Sequence, residues 1–302
     1  MADLTTQFAS LRVKNPITVA SGTFGSKDEF SQLVDYNKLG AVVTKSVSLK
    51  PYKGNAMPRI CETPAGMLNA IGLQNDGIDD FIAHKIPYFT AIDTALIVSV
   101  AGHTIQEYVA VAERLAACPR VDAIEINISC PNVTEGGLQF AMDYSATEEL
   151  VIGVKEVFSR PVVVKLSPEG NILKSAEAAA RGGADAFAFI NTLRGMAVDI
   201  RTKKPKIANI TGGLSGPAIR PVALRCLYEV KKHFQIPVIA MGGICSVEDI
   251  VEFLIVGADM VALGTVNFVN PTFAGTVADA LAQYCDERGI AHIDRLRNTL
   301  EV

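Results

Sequence analysis

Eight times along this chain a short, almost uninterrupted apolar run is followed by a longer stretch with helical spacing. The runs are 17–20, 41–44, 95–100, 123–127, 162–166, 186–190, 238–241 and 260–263. Strands apolar on both sides must be covered on both faces, the condition of a parallel sheet wrapped by helices rather than of an antiparallel sheet with one wet side. The intervening segments carry the complementary period. In residues 104–117 the apolar positions Ile105, Tyr108, Val109, Ala112, Leu115 and Ala116 share one face, and Thr104 with Glu107 offers a capping box. Ser246 is the expected N-cap of a helix running to Val256 and stopped by Gly257, and an Ala-rich helix is expected over 175–181. Eight alternations with no change of composition predict an α/β fold, a (β/α)8 TIM barrel of one domain over residues 1–302, with inserted loops at the C-terminal face of the strands. An open doubly wound sheet is the alternative.

Three connections are too long for simple turns: about 46–76, 131–144 and 192–217. All follow strand C-termini, where barrels carry their sites, and long loops there serve as lids or binding loops. Composition removes other classes of function. The net charge is −4, which gives no whole-chain footprint for nucleic acid, and the one tight basic cluster (Lys203, Lys204, Lys206) reads as a solvated loop. No run approaches the roughly 20 apolar residues of a bilayer span, and the N-terminus lacks a secretory pattern, so a soluble, cytoplasmic protein without membrane contact is expected. Six cysteines (61, 118, 130, 226, 245, 285) show no C-x-x-C pair, and four scattered histidines make no metal motif. Free thiols are expected, all but Cys130 buried, and no metal site.

Polar residues at strand ends carry the chemistry. Strand two ends in Lys45-Ser46, strand four in Asn127, strand six in Asn191-Thr192, and strand five contains Lys165. A lysine within an apolar strand is costly unless it is paired or meets an anion. Two facing one mouth suggest an anionic or electron-rich ligand; the alternative is lysines paired to barrel carboxylates such as Glu125. Gly242-Gly243 after strand seven and Gly264-Thr265 after strand eight stand at the two loops that hold phosphate in this fold, and Gly212-Gly213-Leu214-Ser215-Gly216 adds a donor-rich loop. Either glycine pair alone could be only a tight turn. Cys130, at the root of the 131–144 loop, is placed to act as a general base; a buried structural thiol is the bland alternative.

Taken together, these residues resemble class 1 dihydroorotate dehydrogenases. Asn127-Ile128-Ser129-Cys130-Pro131-Asn132 looks like the family's active-site signature, and Thr44-Lys45-Ser46 like its lysine segment. Asn69-Ala70-Ile71-Gly72-Leu73 resembles its orotate-binding loop. Met241-Gly242-Gly243-Ile244 and Leu263-Gly264-Thr265 resemble its FMN-phosphate loops. Asn191-Thr192-Leu193-Arg194-Gly195-Met196 and Gly212 to Pro217 resemble the NAD-linked, heteromeric branch.

The resemblance implies that Cys130 removes a proton from C5 of dihydroorotate while hydride leaves C6 for FMN. It implies that Lys45, Asn69, Ala70, Ile71, Gly72, Leu73, Asn127, Asn132, Asn191 and Thr192 bind the substrate. It implies that Ser21, Gly22, Lys45, Ser46, Asn127, Lys165, Ile190, Gly216, Gly242, Gly243, Gly264 and Thr265 bind FMN. A homodimer core with a second subunit carrying FAD and a [2Fe–2S] cluster, and passing electrons to NAD, is implied too. The family often has Asn where Ser99 stands, and the shorter serine argues against a direct FMN contact there. Rival readings are a fumarate-linked oxidase, a related FMN barrel acting on another dihydropyrimidine, a phosphosugar lyase or isomerase with a Schiff base at Lys165, and a non-catalytic flavin-binding scaffold.

Overall fold

A computed structural model describes residues 1–128 and 143–301. The apolar runs form one eight-stranded parallel sheet of β1 (Ile17–Val19), β2 (Ala41–Val43), β3 (Ala95–Val100), β4 (Ala123–Asn127), β5 (Val162–Lys165), β6 (Ala186–Phe189), β7 (Val238–Met241) and β8 (Met260–Leu263). Each strand from β2 to β8 pairs with the next, and β8 returns to β1 with Val261 opposite Ile17. The last seam is bridged where Gly40 N–H donates to Ile17 O at 2.9 Å. Neighbours in the sheet are neighbours in the chain, all the way round. That is the (β/α)8 barrel and not the doubly wound alternative, whose order reverses at a switch point.

Amphipathic helices cover the outside: α1 (Ile105–Ala116), α2 (Tyr144–Val157), α3 (Ile172–Arg181), α4 (Arg220–His233), α5 (Val247–Val256) and α6 (Phe273–Glu287). Local chemistry sets their ends. Ser246 and Asp249 form a reciprocal capping box on α5, and Gly257 closes that helix in the left-handed conformation at φ 114°. On α1, Thr104 Oγ1 accepts from Glu107 N at 3.2 Å, while the Glu107 carboxylate reaches one residue further back, to His103 N at 2.7 Å. Helix α3 starts at Ile172, three residues before the expected 175, because the Asn171 side chain accepts from both Leu173 N and Lys174 N.

Alternation along the strands sorts side chains between two cores. One lies between sheet and helices. The smaller one fills the barrel with Ala41, Val43, Ile97, Ala123, Val163, Ala186, Ala188, Ile239, Met241, Met260 and Ala262. An N-terminal hairpin, Thr6–Phe8 paired with Leu11–Val13, sends Phe8 and Val13 into this inner cluster as a plug at the strand N-termini. Cutting the fully buried Phe8 to Ala would cost about 3–5 kcal/mol.

The first and third long connections are not loose loops. Strands Ile60–Thr63 and Gly66–Asn69 from the former pair with Leu193–Met196 and Thr211–Ser215 from the latter in a four-stranded antiparallel sheet. The lysine cluster at 203–206 is exposed, as expected, but it is not a plain loop: Lys204–Pro205 pair antiparallel with Val198–Asp199. The cysteines correct the expectation of burial. Cys226 and Cys285 are buried, Cys61 and Cys118 are half-buried, and Cys245 is exposed beside the Asp249 carboxylate. Cys245 precedes the N-cap of α5, where a helix start meets solvent, so packing does not claim it. Among the described residues no helix is long and apolar enough to cross a membrane.

Candidate active site

The alternation that points Ile97, Ala123 and Val163 inward also points Ser99, Glu125, Asn127 and Lys165 inward, higher in the same strands. Their register is adjacent: Ser99 lies opposite Glu125, and Asn127 opposite Lys165. The apolar barrel fill therefore gives way to a polar layer toward the strand C-termini. Glu125 is fully buried, and Lys165 is 5% exposed. Ser99 Oγ donates to Glu125 Oε1 at 3.0 Å, and Lys165 Nζ stands 3.9 Å from the same oxygen. The alternative of a lysine paired to a barrel carboxylate thus holds for Lys165.

Lys45 differs. Half-buried where β2 leaves the barrel, it shares a cavity of about 220 Å3 with Gly22, Ser46, Asn75, Asp76 and Lys85. Burial pulls its ammonium below the usual lysine range, with Lys85 and Arg59 adding to the effect and Asp76 opposing it. Asp76 is itself taken by Lys85 at 2.6 Å. A cation held in this way gains most from an anionic ligand.

Hydroxyls join this cavity to the buried layer. Ser21 Oγ lies 3.2 Å from Ser46 Oγ, which lies 2.9 Å from Ser99 Oγ, and Asn127 Nδ2 donates to Ser46 Oγ at 3.2 Å. Ser99 is therefore hydrogen-bonded on both sides, to Ser46 and to Glu125. Tyr108 Oη donates to the Asn127 carbonyl at 2.8 Å and fixes that strand end from α1.

The antiparallel sheet places the remaining polar candidates. Asn69 is paired across it with Gly213, and a side chain at Gly213 would run into Thr192. Ala70, Ile71, Gly72 and Leu73 follow in a turn with φ of 73° at Gly72 and 55° at Leu73. Asn55 holds that turn, donating from Nδ2 to Ala70 O at 3.1 Å and from N to Ile71 O at 3.0 Å. Asn191 and Thr192 are half-buried at the start of the third insertion.

The glycine loops converge on the other side of the mouth. A Cβ on Gly243 would stand 2.9 Å from both Arg220 N and Gly216 O, and one on Gly242 would stand 3.3 Å from Ile190 Cγ1. Loops after β6 and β7 thus come together with no room for side chains at Gly242 and Gly243. Thr265 Oγ1 donates to Ser215 Oγ at 2.7 Å, tying the β8 loop to the sheet, and Gly264 is open except for Ala20 Cβ at 3.8 Å. Arg220, which an anion would find attractive, is engaged by the buried Asp249.

Cys130 and Asn132 lie outside the described residues. The other expected site residues gather at one mouth. Three contributors were not anticipated. Glu125 entered only as a generic partner for lysine. Ser215 had no signal beyond its glycine-rich neighbourhood. Asn75 organises the cavity floor, accepting on Oδ1 from Gly77 N at 2.9 Å and Ser48 Oγ at 3.0 Å; its position two residues before a glycine was the available cue.

Known proteins match this chain along its length. A family model described as Dihydroorotate dehydrogenase covers residues 3–284. A protein of Trichlorobacter lovleyi named dihydroorotate dehydrogenase B (NAD(+)), catalytic subunit, is 49% identical over 99% of this chain and 98% of its own. One of the same name from Geotalea daltonii is 46% identical over 99% of both. A crystal structure of DHODH from Eimeria tenella in complex with ferulenol aligns with a TM-score of 0.82 over 98% of this chain and 88% of that one. At 19% identity, that likeness speaks for the fold alone. Matched in sequence from end to end and in the fold that carries this mouth, the chain belongs to the dihydroorotate dehydrogenase family.

Proposed function

We propose that this chain oxidises dihydroorotate to orotate, as the FMN-bearing catalytic subunit of an enzyme that delivers the electrons to a partner subunit and on to NAD. One observation carries most weight. A single mouth joins a cation primed for an anion (Lys45), amides suited to a planar ring (Asn69, Asn127, Asn191) and a side-chain-free glycine cradle.

The residues present fit FMN. Gly216, Gly242 and Gly243 pack too closely against neighbouring loops for a Cβ, while Gly22 and Gly264 face open space, so these loops would meet a phosphate with backbone N–H groups and not with side chains. Gly264 and Thr265 border the same space. Ser21, Gly22, Ser46, Asn127, Lys165 and Ile190 would hold the ring system. When bound, FMN supplies the acceptor for the C6 hydride.

The chain's own groups do the rest. Lys45 would hold the substrate carboxylate in a site poor in water, where its charge counts for more than in bulk. Asn69, Asn127, Asn132, Asn191 and Thr192 would read the ring amides, because Asn offers donor and acceptor on one planar edge. The turn at 70–73 would close over the ring, and the segment around Cys130 would exclude water. Cys130 would take the C5 proton, the one step that needs a base. These residue roles rest on the resemblance of the motifs and, for the described residues alone, on the geometry of the mouth.

The partner reading rests on the names of the relatives, which are catalytic subunits linked to NAD(+). A homodimer core and a subunit carrying FAD and a [2Fe–2S] cluster belong to the same proposal, as does a cytoplasmic setting.

The test is an anaerobic titration of the FMN-loaded chain with dihydroorotate, followed by flavin absorbance. Bleaching complete near one equivalent per chain is expected. A bound flavin indifferent to dihydroorotate would remove the substrate, and a chain that binds no FMN would remove the redox reading altogether.

A further inference from the structure

Glu125 is fully buried, and its Oε2 has no hydrogen-bond partner among the described residues. A buried carboxylate with one oxygen unsatisfied is expensive unless the surrounding structure makes use of it. Its neighbours suggest the use. From the reading that this mouth binds FMN, we infer that Glu125 is a positioning residue. It orders the hydroxyls of Ser99, Ser46 and Ser21 in a single direction, and it counterbalances the Lys165 ammonium, whose charge a bound flavin would feel.

The direction follows from proton counting. A carboxylate facing an ammonium accepts and does not donate, and each serine has one proton. Ser99 Oγ must therefore donate to Glu125 Oε1, at 3.0 Å. Its proton spent, Ser99 receives one from Ser46 at 2.9 Å. Ser46, in turn, accepts from Ser21 at 3.2 Å and from Asn127 Nδ2 at 3.2 Å. Every proton in the chain points toward Glu125. Two consequences reach the mouth. Ser21, half-buried at its rim, has only lone pairs left and presents an acceptor. The nitrogen end of the Asn127 amide is held toward Ser46, which fixes the orientation of a proposed substrate contact.

The charge balance follows from the same geometry. Lys165 Nζ stands 3.9 Å from Glu125 Oε1, with both side chains nearly or fully shielded from water. An uncompensated ammonium there would favour the electron-rich reduced flavin, and Glu125 restrains that preference.

The experiment measures the midpoint potential of bound FMN in wild type, Glu125→Gln, Lys165→Met, the double variant and Ser99→Ala. Glu125→Gln keeps the shape and deletes the charge. It should favour reduced over oxidised FMN by about tenfold, close to 30 mV upward for a two-electron couple. Lys165→Met should move the potential the other way, downward, because it deletes the positive charge that Glu125 offsets, and the double variant should return toward wild type. Ser99→Ala leaves the carboxylate one donor short and its charge more strongly felt, so the potential should move down. A general packing defect has no reason to give opposite signs in these two variants. Ser99→Ala also decides the matter should Glu125→Gln fail to fold: a potential unmoved or raised by Ser99→Ala overturns the inference. So does a flavin indifferent to Glu125→Gln, or a potential that Lys165→Met raises, while FMN binding and reduction remain intact. Failure of the wild-type chain to bind FMN instead brings down the underlying site reading and this inference with it.

Discussion

Asn69 and Gly213 face each other across antiparallel strands contributed by two separate insertions, with Asn69 Nδ2 3.5 Å from the Gly213 carbonyl. Gly213 tolerates no side chain, because its Cβ would occupy the place of Thr192. Gly213→Val should therefore push apart two proposed substrate contacts while leaving the glycine cradle alone. Overpacking of this kind costs about 1–3 kcal/mol. The expected outcome is a KM for dihydroorotate raised roughly tenfold at unchanged FMN content, read from steady-state kinetics and the flavin-to-protein absorbance ratio. An unchanged KM would separate this sheet from substrate binding.

Lys45 gives a prediction in pH. Burial lowers its folded-state pKa below the usual lysine value of 10.5. It loses its charge earlier on an alkaline titration than a free lysine does, so orotate affinity should decline as pH climbs through the folded pKa, below 10.5. Stability has the opposite sign. Between the folded pKa and 10.5 the unfolded chain holds the extra proton, so the ligand-free protein gains stability as pH rises across that window. Lys45→Met removes the buried charge. It should raise the thermal midpoint at neutral pH while weakening orotate binding, a trade seen by pairing thermal melts with flavin difference spectra. A variant that loses stability at neutral pH would contradict the direction of the shift.

Gly243 tests the phosphate cradle. Its φ is 80°, and an added Cβ would stand 2.8 Å from Arg220 Cβ and 2.9 Å from Arg220 N. Gly243→Ala must move the backbone where phosphate is proposed to sit, so wild type should prefer FMN to riboflavin and the variant should lose most of that preference. Fluorescence titrations with both flavins measure it, with far-UV circular dichroism showing that the barrel persists.

The barrel was legible because its signal is local. Runs such as 95–100 and 238–241 are strands residue for residue, since continuous apolarity over four to six positions is what a strand covered on both faces requires. The sheet over the mouth was not legible. Its central pairing joins Asn69 to Gly213, 144 residues away, and the segments involved are short, polar and glycine-rich, with no period to read. Ser99 shows the middle ground. Parity along β3 fixes its direction, but its partner sits on β4, and only three-dimensional register says that a carboxylate waits there. The late start expected for α3 was a misreading of a local cue, since Asn171 carries an ordinary N-cap side chain. The thiols were misjudged for another reason: cysteine is buried on average, and the average says nothing of Cys245, which a helix start holds at the surface.

Cys130 is the proposed base, the role that the resemblance of its motif implies. Removing a general base lowers rates by about 10²–10⁴, and Cys130→Ala should fall in that range. FMN binding should persist in that variant, since the cradle residues Gly216, Gly242 and Gly243 belong to other loops. Cys130→Ser separates a base from a packing role. A hydroxyl is a much weaker acid than a thiol, so a serine needs higher pH to accept the C5 proton through its ionised form. Partial activity displaced toward alkaline pH is therefore expected in single-turnover reduction of the bound flavin. A structural thiol predicts another pattern, because serine nearly matches cysteine in volume: little loss in Cys130→Ser, and no displacement of the pH profile. Rates like wild type in both variants across the pH range would assign proton removal to another group.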